Sequence, residues 1–216
     1  MKKVLAFCSI AALVITMIGC LSAERKEYTW NIEPDGSGSG KIVWRNLFSS
    51  GNEDEDGSAD DFVSLVNDYY EGTYVEDDYP GWRNVEKRLF MEKGQLCGEI
   101  TFEFKRLSDI GFYQYNGEGP FMFLTSTDET FIDSNGDFAG EDFPVMFWPE
   151  KTSEFKLVTS LGDPDDSGAI ELLDYYEDWT EDGELPEIDE VEYDFEEEEE
   201  GEEEEGAGKK IKESMQ

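Results

Sequence analysis

The chain has 216 residues, 38% hydrophobic and 14% aromatic, carries a formal net charge of −37 and contains no histidine. That length and apolar content suit one core-forming domain plus tails, and the charge repels nucleic acid and anionic headgroups, leaving cations and basic proteins as electrostatically favourable partners. Without histidine there is no imidazole base, no serine–histidine triad and no histidine metal ligand.

Lys2 and Lys3 open the chain and an apolar run from Val4 to Ile18 follows, too short to span a bilayer comfortably and suited to a cleaved export signal. The run ends in Met17-Ile18-Gly19-Cys20. This ending resembles the lipobox of bacterial lipoproteins. The resemblance implies that residues 1–19 are a cleaved signal peptide and that Cys20 becomes the first mature residue. It also implies a diacylglyceryl group and further acyl chains such as palmitate on that cysteine. One acyl chain anchors only marginally, whereas two or three hold stably. By the same resemblance, Leu21 in place of an aspartate after the cysteine favours the outer membrane in a host that has one. The resemblance covers the first twenty or so residues; residues 28–180 suggest no particular family.

Residues 20–27 read as a polar tether between lipid and domain. Tyr28, Trp30 and Ile32 then alternate with polar residues, the pattern of a half-buried strand. Pro34 to Gly40 is a turn-rich break, and Ile42, Trp44 and Phe48 return as the second strand of a hairpin. The glycine–serine run lacks the ending of a phosphate loop and precedes a strand, so a phosphate role is disfavoured. Glu53, Asp54, Glu55 and Asp56 form an acidic loop. Ser58 and Asp60 are candidate caps for an amphipathic helix over about 60–71, whose stripe is Phe62, Leu65, Val66 and Tyr69.

Val85, Leu89 and Met91 predict a strand that turns at Glu92–Gln95. Leu96, Gly98, Ile100, Phe102 and Phe104 form the cleanest alternation in the chain and place Cys97 on the polar face. Cys8 leaves with the signal and Cys20 carries lipid, so Cys97 is a free thiol, either reactive and able to pair between chains or covered by a neighbouring element. Residues 106–120 look irregular, and Phe112, Tyr113 and Tyr115 there serve a core, a loop, or a stacking surface for sugar or peptide. Further strands are predicted at 121–124, around 131–132 and 138, at 145–148 and at 155–161. Asn135-Gly136 reads as a hairpin turn. Asp163–Ser167 opens a second helix over about 168–179, with Leu172, Leu173, Tyr176 and Trp179 on its apolar stripe. Residues 181–205 hold 17 acidic and no basic residues, so 181–216 is expected to be a disordered acidic tail. The predicted class is α+β, mainly antiparallel sheet with about two helices packed on one face.

The expected function is that of a non-enzymatic, lipid-anchored extracytoplasmic protein of the bacterial cell envelope. It binds or scaffolds another component, for instance a basic envelope protein, and has no cofactor beyond the lipid on Cys20. Two alternatives stand beside it. One is a cation-binding module at Asp133, Asn135 and Asp137, whose spacing is oxygen-rich although Phe138 and Pro144 replace the glycine and glutamate an EF-hand needs, with weak divalent binding by the glutamate tail. The other is a carboxylate-dependent hydrolase of envelope glycan.

Overall fold

The structure, a computed structural model, describes residues 21–50, 56–166 and 168–188. Its frame is a seven-stranded antiparallel sheet in which β3 (Arg83–Glu92), β4 (Gln95–Phe104), β2 (Gly38–Ser50), β1 (Leu21–Ile32), β10 (Glu154–Ser160) and β7 (Thr130–Ser134) lie in that order. The short β11 (Ala169–Glu171) pairs with the end of β2. A second, four-stranded antiparallel sheet runs β5 (Phe112–Gln114), β6 (Phe121–Leu124), β9 (Val145–Trp148), β8 (Asp137–Phe138). The helices are α1 (Ser58–Ser64), continued by a π-helical turn over Leu65–Tyr70, α2 (Tyr74–Asp78) and α3 (Leu173–Asp182). The predicted α+β class with a mainly antiparallel sheet is what the chain adopts.

Register explains the core. Trp30 pairs with Phe155 and Gly40, and Tyr28 with Leu157 and Ile42; Ile42 pairs onward with Ile100, and Gly40 with Phe102. Directly paired residues share a face, so these side chains form one apolar layer across four strands. That layer is covered in two parts. Phe62, Leu65, Val66, Val75 and Leu172 bring the helices into the same buried cluster. Over β1 and β10, the second sheet contributes Phe112, Phe121, Phe123 and Trp148, which meet Trp30 and Phe155 at centroid distances of 5.0–5.5 Å. Offset and edge-on ring pairs at such distances add to simple area burial.

Gly40 belongs to this packing and not to a loop. A Cβ there would lie 2.2 Å from the Phe102 ring. Phe102 crosses over the glycine and stacks on Trp82 at 3.6 Å, and Trp82 stacks on Tyr79 at 4.3 Å. The glycine–serine run therefore ends as the start of β2.

Several sequence boundaries move. Residues 21–27 are not a tether: β1 begins at Leu21, and Leu21 and Ala23 are buried. The alternation there is hidden because it changes phase. Buried positions run 21, 23 and then 26, 28, 30, 32. On the facing strand Asn46 takes a left-handed φ of 56° and its amide donates to Glu24 at 3.1 Å. The second helix starts at Leu173, because Ala169–Glu171 are drawn into pairing with Phe48–Ser50 as β11. α3 continues to Asp182 and Leu185 packs against the core, so the acidic composition begins before the fold ends. The tail from residue 189 onward lies outside the described residues. α1 starts at Ser58, two residues earlier than Asp60, and the Asp56 carboxylate accepts from the Ser58 amide at 3.0 Å and its hydroxyl at 2.5 Å. These two donors hold the Asp56 carboxyl below the usual range.

Candidate binding groove

A wide concavity lies at the end of the sheet where β1 finishes. It has a volume of about 620 Å³. Three turns wall it. The first is Glu33–Ser37 between β1 and β2, closed by Gly36 N–H to Glu33 O at 2.9 Å and Glu33 N–H to Ser37 O at 2.8 Å. Inside it the Asp35 carboxylate accepts from the Ser37 amide at 3.0 Å and hydroxyl at 2.6 Å, which lowers the Asp35 pKa. The second is Tyr115–Gly117 after β5, turned by Asn116 at φ 52° and tied back by the Gln114 amide donating to Gly119 O at 3.0 Å. The third is Pro149–Thr152 before β10, closed by Thr152 N–H to Pro149 O and fastened to β1 by Ile32 N–H to Ser153 O, both 2.9 Å.

Ile32 and Phe121, both almost buried, supply the apolar floor, with Leu107 beside them. Asn31, Glu33, Gln114, Glu150, Lys151 and Ser153 supply the polar rim. Glu33, Glu150 and Lys151 form no ion pair among the described residues. A volume of this size, with an apolar floor and a few side-chain donors and acceptors, falls in the range of small-molecule and oligomer sites, about 300–1,000 Å³.

A second polar feature is closed. Lys26 is completely buried on the core face of β1, and its ammonium meets Glu129 at 3.1 Å. The Glu129 carboxylate also accepts from the Tyr28 hydroxyl at 2.9 Å and the Thr159 hydroxyl at 2.7 Å. The ammonium sits 4.8 Å from the Tyr28 ring centroid and 5.5 Å from that of Trp44. Desolvation lowers the Lys26 pKa, with Glu129 opposing that shift; burial, and then Glu129, raise that of Tyr28 well above its ordinary value. Every oxygen and the ammonium have partners, so this is an internal clamp holding the loop before β7 to β1 and β10.

The residues singled out by the sequence separate. Cys20 lies outside the described residues, as do Glu53, Asp54 and Glu55. Asp133 ends on β7 and Asp137 on β8, and the segment between them is not a hairpin turn: β7 pairs with β10, whereas β8 pairs with β9 in the other sheet. Asn135 is where the chain crosses. Its oxygen accepts from Trp148 Nε1 and from the Lys156 amide, each at 2.8 Å, and its amide donates to Glu154 O at 2.8 Å. A carbonyl oxygen has two lone pairs, and both are used. Asn135 therefore stitches the two sheets together and has no lone pair left for a cation. Gly136 follows because a Cβ there would lie 2.5 Å from Trp148 Nε1. Among the described residues, no group of three or more Cys, Asp or Glu side chains is arranged to hold a metal ion.

Cys97 is free and buried, 1% exposed, although it occupies the outward face of β4. Its cross-strand partner Phe90 lies alongside, under the Arg88 and Arg45 guanidiniums at 4.3 and 6.0 Å from the ring centroid. The covering is done by neighbouring side chains, which argues against a reactive thiol. Phe112 is core, whereas Tyr113 and Tyr115 are 56% and 66% exposed. The groove residues Asn31, Glu33, Gln114, Glu150 and Lys151 were not marked by sequence pattern. The available signal was the set of turns at 33–37, 115–117 and 149–152, which sequence places far apart and the fold brings to one end.

Comparisons with protein-family models, with curated protein sequences and with solved structures each find no match. Among the described residues no helix is long and apolar enough to cross a membrane.

Proposed function

We propose that this is a lipid-anchored protein of a bacterial cell envelope, held through Cys20, whose extracytoplasmic domain binds a partner molecule without turning it over. The observation that carries the reading is the junction Gly19-Cys20 at the end of an apolar run, with β1 beginning at the next residue. A lipid on Cys20 would leave almost no slack between bilayer and domain. β1 then carries the chain from Leu21 to Ile32, roughly 36 Å at the rise of a strand, and the groove opens at the Ile32 end. An anchored domain would present that groove away from the surface to which it is attached. The following Leu21 supports the outer membrane in a double-membraned host, by resemblance to lipoproteins of enteric type.

The cation-binding alternative at Asp133, Asn135 and Asp137 loses one ligand at Asn135, whose side-chain oxygen is already used, and its glutamate tail lies outside the described residues. Glycan hydrolysis keeps one supporting feature, the two carboxylates Glu33 and Glu150 on a single groove. The anchor is tested in the native host by intact mass and fractionation. The wild-type protein is expected to carry a diacylglyceryl-sized mass increment and to stay with membranes through a high-salt wash, and Cys20→Ser to move to the soluble fraction. An unmodified wild-type chain, or Cys20→Ser retained on the membrane, would remove the reading.

A further inference from the structure

We propose that the groove at the end of β1 is a carbohydrate site that takes a short stretch of linked pyranose rings, with Tyr115 as the stacking platform at its margin. This rests on the reading above only for where the ligand is met.

The argument starts from what the walls have left to offer. Ile32, Glu33, Gly36 and Thr152 spend their backbone N–H groups inside the turns or across to the neighbouring turn. A peptide added as a strand needs an open backbone edge, and these walls do not supply one. Recognition is left to side chains: the amide of Asn31, the side-chain carbonyl oxygen of Gln114 (its Nε2 donates to Gly119 O), the carboxylates of Glu33 and Glu150, the ammonium of Lys151 and the hydroxyl of Ser153. Carboxylates accept, ammonium donates, and amides and hydroxyls do both, which matches a ligand whose hydroxyls each donate and accept. The two apolar floor residues suit the C–H face of a sugar ring. Tyr115 is 66% exposed and lies between Gln114 and Gly117, both of which line the groove. Asn116, at φ 52°, fixes the turn that carries it. An exposed aromatic carried on a defined turn beside a polar groove offers a flat apolar face, and a tyrosine has only two side-chain torsions to order. Charge selects further. In a chain of net charge −37, the two carboxylates Glu33 and Glu150 outnumber the single ammonium of Lys151 on this rim, which favours neutral and amino sugars and disfavours acidic ones.

The test is amide NMR of the isotopically labelled full-length chain in detergent micelles. Two probes are titrated in turn: a pool of neutral and amino-sugar oligosaccharides of four to six rings, and a pool of unstructured peptides of matched mass. Saturable shifts are expected with the oligosaccharides at the Asn31 and Gln114 side-chain amides and at residues 33, 115–117 and 151. Tyr115→Ala is expected to weaken binding about tenfold, the scale of one aromatic contact, without lowering the melting temperature. Glu33→Gln provides a second, non-aromatic lesion with the same direction. Shifts with peptides alone, shifts elsewhere on the protein, or no saturable shift with either pool would overturn the proposal. The Cys20 mass increment is read separately, so loss of the anchor and loss of the site are distinct results.

Discussion

Glu129 shows what one residue is asked to do here. Its carboxylate accepts hydrogen bonds from an ammonium and two hydroxyls on β1 and β10, and it sits in a loop that has no partner strand of its own until β7 begins. A buried ion pair is not a large net source of stability, because two desolvated charges offset most of their attraction; its removal on one side is costly, because the other charge stays behind. Glu129→Ala strands Lys26, 0% exposed, next to Tyr28 and Trp44. The expected loss is about 3–5 kcal/mol, read as a lower midpoint in urea unfolding. Adding Lys26→Met to that variant is expected to recover a large part of the loss. If the double variant is no more stable than the single, the cost lies in the loop and not in the orphaned charge. Neither half of the clamp was recognisable beforehand. Lys26 sits among charged residues, Glu24, Arg25 and Glu27, in a stretch whose composition reads as a polar tether. Only the phase change in β1 turns it inward.

At the scale of the element, the hairpin of β1 and β2 depends on Gly40. Cross-strand aromatic coverage lets Phe102, Trp82 and Tyr79 stack above a position with no side chain. Gly40→Val places two methyl groups into the Phe102 ring and has to displace the whole stack. Overpacking of this kind costs about 1–3 kcal/mol. The expected signature is a lower melting temperature together with a changed near-ultraviolet circular dichroism band from Trp82; a variant with unchanged spectrum and stability would show that the stack does not hold the hairpin. The most legible element is β4, with five alternating apolar positions; the stripe Phe62, Leu65 and Val66 is buried as expected, although the predicted α-helix over about 60–71 is α-helical only to Ser64 and π-helical from Leu65 to Tyr70. Those that were illegible have short or broken patterns. β5 and β11 have three residues each, too few for any period. β8 has two, and the Asn135-Gly136 pair before it has the composition of a hairpin turn while joining strands of different sheets. Local turn chemistry specifies a change of direction, and tertiary packing on Trp148 decides which strand is met next. The groove was illegible for the same reason, being assembled from three turns that share no pattern.

For the whole molecule, charge is distributed unevenly, and this sets its response to salt. Arg25, Lys41, Arg45, Arg83, Arg88 and Lys156 all fall on the outward face of the large sheet, by their register opposite outward-facing partners. There they meet acids across the strands: Arg45 with Glu27 at 3.1 Å and with Glu92, Arg88 with Glu99 at 3.0 Å, Lys41 with Glu99 at 3.9 Å. Exposed pairs of this kind contribute about 0–1 kcal/mol each. With 54 acidic residues against 17 basic ones, carboxylates are in large excess, and like charges repel one another in the compact state more than in an expanded one. Raising ionic strength from about 0.01 to 0.15 M shortens the screening length from about 30 to about 8 Å. That range removes repulsion between distant carboxylates, leaves the buried Lys26–Glu129 pair nearly untouched, and weakens only the short surface pairs. Repulsion summed over many distant charges outweighs a few exposed pairs, so sodium chloride is expected to stabilise the fold. A rise in melting temperature of at least about 3 °C over this range corresponds to roughly 1 kcal/mol for a domain of this size. Differential scanning calorimetry in a buffer of fixed pH measures it directly. A melting temperature that falls with added salt would mean that the ion-paired sheet face, and not the acidic remainder, governs the electrostatic balance.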